Sequence, residues 1–150
     1  MKIYADTSFL ASLYLVTDAR HGDAIAISQA WTKPPLLPLT PFGMLELRNV
    51  FSRLQYKGEM HMGDARLCEQ HIKLDLKDSI LESVPLHTYE WLHTAHELVD
   101  KITPLTGTRT LDVLHLAIAR LNGAKTILSF DKNQRLAANA AGFALLPVAL

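Results

Sequence analysis

Four acidic side chains stand where apolar or turn-like runs hand over to helical patterns. They are Asp6 in MKIYADTSFL, Glu46 in TPFGMLELRNVF, Asp112 in RTLDVLHLAIA and Asp131 in TILSFDKNQRLA. In a parallel α/β sheet such junctions lie along one edge, so carboxylates distant in sequence can meet at one site. Clustered carboxylates suit a hard divalent cation such as Mg²⁺. Such an ion in turn suits phosphodiester chemistry, because it polarises the phosphate and activates water.

Taken singly, each acid has a plainer reading. Asp6 closes a strand and opens a helix, where aspartate is a favoured N-cap. Asp131 has Gln134 three residues on, the spacing of a capping box. Asp112 lies near a helix start, where the macrodipole favours an anion. Its segment, TLDVLHLAIA, offers few polar positions, so an inward-facing Asp112 needs a partner or a cation. Glu46, between Leu45 and Leu47, reads as a solvent-facing residue or as a partner of Arg48 or Arg53. The joint reading is stronger than its parts. Ionised carboxylates on one rim repel and call for a neutralising cation, whereas scattered caps do not.

The elements that must position these acids alternate between strand and helix. The pattern predicts strands over 2–5, 36–39, 81–86, 126–130 and 143–148. Helices are predicted over 7–16, from an Asp18 cap to about 31, from a Thr40 cap and Pro41 to Gly58, and over 63–77, 87–101, 111–121 and 131–142. On the third helix Phe42, Leu45, Asn49, Val50 and Leu54 mark one side. Residues 104–108 read as a loop of turn formers. The helix over 111–121 is apolar nearly all round, which predicts a central, buried position. This alternation argues a parallel α/β sheet with right-handed crossovers.

At 150 residues the chain is most simply one domain. Hydrophobic residues make up 49% and the net charge is zero, which excludes a disordered chain and argues against a large non-specific nucleic-acid surface. A local basic rim is compatible with Arg48, Arg53 and Lys57 on one helix and with Arg109, Lys132 and Arg135 flanking two acids; the alternative is an ordinary solvated surface. No apolar run approaches a membrane span, and the start of the chain is a poor signal peptide. The lone Cys68 fits a reducing cytosol and reads as a small buried hydrophobe. His93 and His96 share a helical face, but no third ligand stands at a recognisable spacing. His115 follows Asp112 on the same face and reads as a packing residue. Trp31 and Trp91 read as core or interface anchors.

The segments D-T-S-F-L, E-L-R-N-V-F, L-D-V-L-H-L-A-I-A and S-F-D-K-N-Q-R-L-A resemble the four motifs of PIN-domain nucleases, and the resemblance runs from Lys2 to about Val148. Size and motif set most resemble the toxin of VapBC-type toxin–antitoxin systems. The resemblance implies a three-layer α/β/α fold with a five-stranded, mainly parallel sheet. It also implies a Mg²⁺- or Mn²⁺-dependent endoribonuclease acting in the cytoplasm. Asp6, Asp112 and Asp131 would be the nearest metal ligands, with Glu46 completing the cluster directly or through water. Thr7, Ser8 and Ser129 would orient carboxylates or waters; at Ser129 many members carry a threonine. Arg109 and Lys132 are the first candidates to hold flanking phosphates. The implied partners are an RNA substrate, an antitoxin protein and a second copy of the chain.

Two rival readings stand beside this one. A non-catalytic PIN module would bind RNA or protein without cutting, but retention of four acids argues against it. A receiver domain or a haloacid-dehalogenase-type phosphatase would require further acids beside the first strand, where Asp6-Thr7-Ser8 supplies neither pattern.

Overall fold

The computed structural model describes residues 2–150. In chain order the elements are β1 (Ile3–Ala5), α1 (Thr7–Tyr14), α2 (His21–Gln29), β2 (Leu37–Leu39), α3 (Pro41–Tyr56), α4 (Met62–Lys77), β3 (Leu81–Ser83), α5 (Thr88–Thr106), α6 (Thr110–Leu121), β4 (Thr126–Leu128), α7 (Lys132–Ala140) and β5 (Ala144–Leu146). They form two compact units. One takes the residues up to Ser8 together with Leu86–Leu150; the other is Phe9–Pro85. No helix among the described residues is long and apolar enough to cross a membrane.

In the first unit, β1, β4 and β5 form a parallel sheet in the order β1-β4-β5. Ala5 pairs with Leu128 and Leu128 with Leu146, so the three strands end at one level. The ladder continues one residue further: Asp6 N–H donates to the Leu128 carbonyl and Ser129 N–H to the Leu146 carbonyl, each at 3.1 Å. Asp6 and Ser129 therefore stand side by side at the carboxyl edge of the sheet. Helix α6 is buried along Val113, His115, Leu116, Ala117, Ile118 and Ala119, as its all-round apolar pattern requires. Helices α5 and α7 pack against it.

The loop predicted over 104–108 is largely helix. Helix α5 runs through Pro104 to Thr106. So close to the helix end, the missing proline N–H costs one hydrogen bond and does not break the helix. Gly107 then ends it in the left-handed conformation, at φ 63°, with its N–H on the Thr103 carbonyl. The turn leaves Arg109 as the N-cap residue of α6.

In the second unit, β2 and β3 form a separate parallel pair. All five expected strands are present, but they divide into sheets of three and two strands, not one sheet of five. The Leu37 N–H and the Leu39 carbonyl face β3, bonding the Ile80 carbonyl and the Val84 N–H. The intervening Pro38 faces the other way and has no N–H to offer a further neighbour.

Thr40 caps α3 through its hydroxyl, which accepts from Gly43 N–H at 3.1 Å, and Pro41 is the first helical residue. The buried stripe of α3 is Gly43, Leu47 and Phe51; Leu45, assigned to the apolar side from its spacing, is exposed. A side chain at position 43 would lie 3.2 Å from Leu39, so glycine there lets α3 start close against β2. Helix α2 begins at His21, later than the Asp18 cap implied. The Asp18 carboxylate instead closes a turn, accepting from Ser12 Oγ and Arg20 N–H. On α4, Cys68 is buried as expected and donates to the Tyr14 carbonyl. The Tyr14 hydroxyl donates to Asp75 at 2.5 Å, and burial together with that carboxylate pushes the phenol well above its usual range.

Leu116 is fully buried in the middle of α6. Leu116→Ala should lower unfolding free energy by about 2–5 kcal/mol, read from the shift of the urea midpoint.

Candidate active site

The site grows from the carboxyl edge of the three-stranded sheet. Asp6 is 3% exposed, and both its oxygens are held: Ser8 Oγ donates to Oδ1 at 2.7 Å and Ser129 Oγ to Oδ2 at 2.6 Å. The same hydroxyls accept from the backbone beyond β4. Ser8 Oγ takes the N–H groups of Phe130 (3.0 Å) and Asp131 (3.2 Å), and Ser129 Oγ takes Asp131 N–H at 3.1 Å. The two serines thus tie the Asp6 carboxylate to the backbone of Asp131. A buried charge requires such full hydrogen bonding.

Asp131 is both a helix cap and a charge partner, because its two oxygens divide the roles. Oδ1 caps α7, accepting from Asn133 N–H at 2.7 Å and Gln134 N–H at 2.9 Å. Oδ2 faces Arg109, 3.8 Å from Nη2. The capping box is only half formed: Gln134 does not return to the cap but donates to the Asp112 carbonyl at 3.3 Å, bracing α7 against the first turn of α6.

Asp112 lies in that first turn, with its side chain 12% exposed. Its Oδ2 accepts from Arg109 Nε at 3.0 Å. One guanidinium therefore spans two carboxylates from different helices. The two acids raise the basicity of Arg109 further above its ordinary value, Asp112 contributing most.

Two further groups buttress the cluster. His115 is buried one turn along from Asp112, and its ring nitrogens meet the hydroxyls of Tyr4 at 2.8 Å and Thr7 at 3.4 Å. It joins α6 to the end of β1 and the start of α1. Arg135, read from sequence as a rim cation, is buried instead. Its Nη1 donates to the carbonyls of Ser129 and Leu146, and its Nη2 to those of Pro147 and Val148. Burial lowers its pKa, and the negative charge of Asp6 opposes that shift. No sequence pattern announced this role. The Arg109–Asp112 pair does have a signal, the i,i+3 spacing that brings side chains together on a helix.

The structure thus brings Asp6, Asp112, Asp131, Ser8, Ser129 and Arg109 into connected contacts within one unit, with Thr7 joined through His115. Lys132 is exposed at the first position of α7. Glu46 belongs to the other unit, half-buried between exposed Leu45 and buried Leu47 on α3; neighbouring Arg48 pairs with Glu69 across to α4. His93 pairs with Glu97 on α5. Among the described residues no group of three or more His, Cys, Asp or Glu is arranged to hold a metal ion. Within the first unit the serines hold Asp6, while Asp112 and Asp131 face Arg109. The donors nevertheless suit a hard cation, being carboxylate and hydroxyl oxygens. Two of the carboxylates already answer to a single positive group.

The PIN domain family model matches residues 3–140, and the chain belongs to the PIN domain family. No curated protein sequence matches it. Solved structures that share the fold include the following three. The Mycobacterium tuberculosis protein VapC20, described as a Sarcin-Ricin loop cleaving toxin, is 23% identical with a TM-score of 0.69, covering 95% of this chain and 97% of its own. FitAcB from Neisseria gonorrhoeae is 14% identical with a TM-score of 0.61, covering 95% of each chain. PAE2754 from Pyrobaculum aerophilum is 16% identical with a TM-score of 0.53, covering 97% of this chain and 90% of its own.

Ser129 is fully buried between Asp6 and the Asp131 backbone. Ser129→Ala should cost about 1–3 kcal/mol of stability, measured by urea unfolding, because a buried carboxylate oxygen and a buried N–H each lose a partner.

Proposed function

We propose that this PIN domain is a Mg²⁺- or Mn²⁺-dependent endoribonuclease and the toxin of a toxin–antitoxin pair. The observation that carries the reading is the bridging of Asp112 and Asp131 by one cationic group, beside a buried Asp6 fixed in the same hydrogen-bond network. The family membership and the shared fold with VapC20 and FitAcB support it. RNA is the substrate class, an antitoxin the regulatory partner, a homodimer the assembly and the cytoplasm the place of action.

In this reading Asp6, Asp112 and Asp131 would hold the metal; Glu46 is the fourth acid that the family resemblance assigns to the cluster. The bound ion supplies positive charge to the scissile phosphate and makes water a better nucleophile. The protein's own share is positioning. Ser8 and Ser129 hold Asp6 in one orientation, and His115 and Gln134 keep the first turn of α6 in place. Asp131 keeps Oδ1 on the cap of α7, so the carboxylate that would help hold the ion is fixed in direction by the helix. One of the carboxylates takes the proton of the attacking water. Arg109 and Lys132 hold the flanking phosphates. Supports of this kind typically change metal affinity roughly 10- to 100-fold when removed, so Ser129→Ala should weaken metal binding as well as stability.

The test is cleavage of a structured RNA by the purified chain with Mg²⁺ or Mn²⁺. Activity should disappear with EDTA and in Asp112→Asn, with circular dichroism showing that the variant is folded. Full activity in folded Asp112→Asn would remove the catalytic assignment.

A further inference from the structure

The chain contains two arginines beside the acid cluster, and they are held in opposite ways. Arg135 is buried and spends its guanidinium on four backbone carbonyls. Arg109 has a side chain 66% exposed, and among the described residues its ion pairs are with Asp112 and Asp131. The arginine end of both pairs lies in solvent, and the longer pair, to Asp131 at 3.8 Å, has both ends partly exposed, so the long side chain is held weakly there. Position matters too. Arg109 is the N-cap residue of α6, two residues after the left-handed Gly107, so its side chain starts outside the helix and reaches over the first turn.

We propose that Arg109 is a built-in stand-in cation: its guanidinium occupies the place between Asp112 and Asp131 that a divalent ion takes, and ion binding releases it towards solvent. This rests on the metal reading above and adds a regulation of that site. Two carboxylates from separate helices, one of them nearly buried, cannot face each other without a counter-charge. With Arg109 between them, the cluster stays in register before an ion arrives. A divalent ion carries twice the charge and binds both acids through oxygen, so it displaces the weaker cation. The cost of displacement lowers apparent metal affinity, since the acids are shared between two competitors. The released guanidinium remains within a side chain's length of the site, with five donors suited to a phosphate of the strand. Metal arrival and phosphate capture are then one event, made by the same side chain in two positions.

The test uses the wild-type chain and reads binding, not cleavage. The ¹⁵Nε–H signal of Arg109, assigned by its absence in Arg109→Gln or Arg109→Lys, is followed while Mg²⁺ is added. It should move from a hydrogen-bonded position to that of a free arginine side chain as the ion saturates. Calorimetric titration with Mn²⁺ should show several-fold tighter binding in Arg109→Gln than in wild type. Lys132→Gln is the charge control, because it removes a nearby exposed cation without removing the bridge; it should tighten binding far less. If Mg²⁺ binds but the Arg109 signal stays in place, or if both Gln variants tighten binding equally, the exchange is overturned and the metal reading stands. If neither ion binds wild type or any variant, the exchange and the metal reading fall together.

Discussion

The structure of the first unit depends on a carboxylate that water scarcely reaches. Asp6 ends β1, and each of its oxygens takes a serine hydroxyl, one from α1 and one from the end of β4. Those hydroxyls also hold the backbone N–H groups that lead into α7. One buried charge therefore dictates how a strand end, a helix start and a second strand end meet. Desolvating a carboxylate is costly unless each lone pair finds a donor, so this arrangement tolerates little loosening. The position of Asp131 follows from it, and with Asp131 the first turn of α7.

Much of this was legible in the chain. The order of strands and helices, the caps at Thr40 and Asp131, the burial of α6 and Cys68, and the junction acids all follow from periodicity and cap chemistry. What was not legible came from contacts distant in sequence. The burial of Arg135 depends on carbonyls of residues 129 and 146–148, which a local pattern does not reveal. The extension of α5 through Pro104 depends on how close that proline lies to the helix end. The face of α3 was misjudged because Leu45 and Leu47 are equally apolar, and only packing decides that Leu47 is inside. The division of the strands into sheets of three and two is likewise not carried by composition or periodicity.

The site is economical in another respect. Asp131 is a helix cap on one oxygen and a charge partner on the other, so capping α7 does not occupy the whole carboxylate. His115 packs in the core and also orients the turn that carries Asp112. Stability and site geometry are therefore coupled: the residues that shape the site also hold its unit together. This coupling favours rigidity at Asp6, whereas Arg109 reaches its two acids from an exposed side chain.

The level strand ends of the three-stranded sheet have a consequence for how such a chain can vary. Ala5, Leu128 and Leu146 lie in register, and the next residue in each strand falls on the same edge. With strands three residues long, adding or removing one residue in β4 would turn Ser129 to the opposite face and take its hydroxyl away from Asp6, leaving the Ser8 hydroxyl on the other oxygen. The number of residues between Thr126 and Asp131 therefore bears on the site as directly as their identities do.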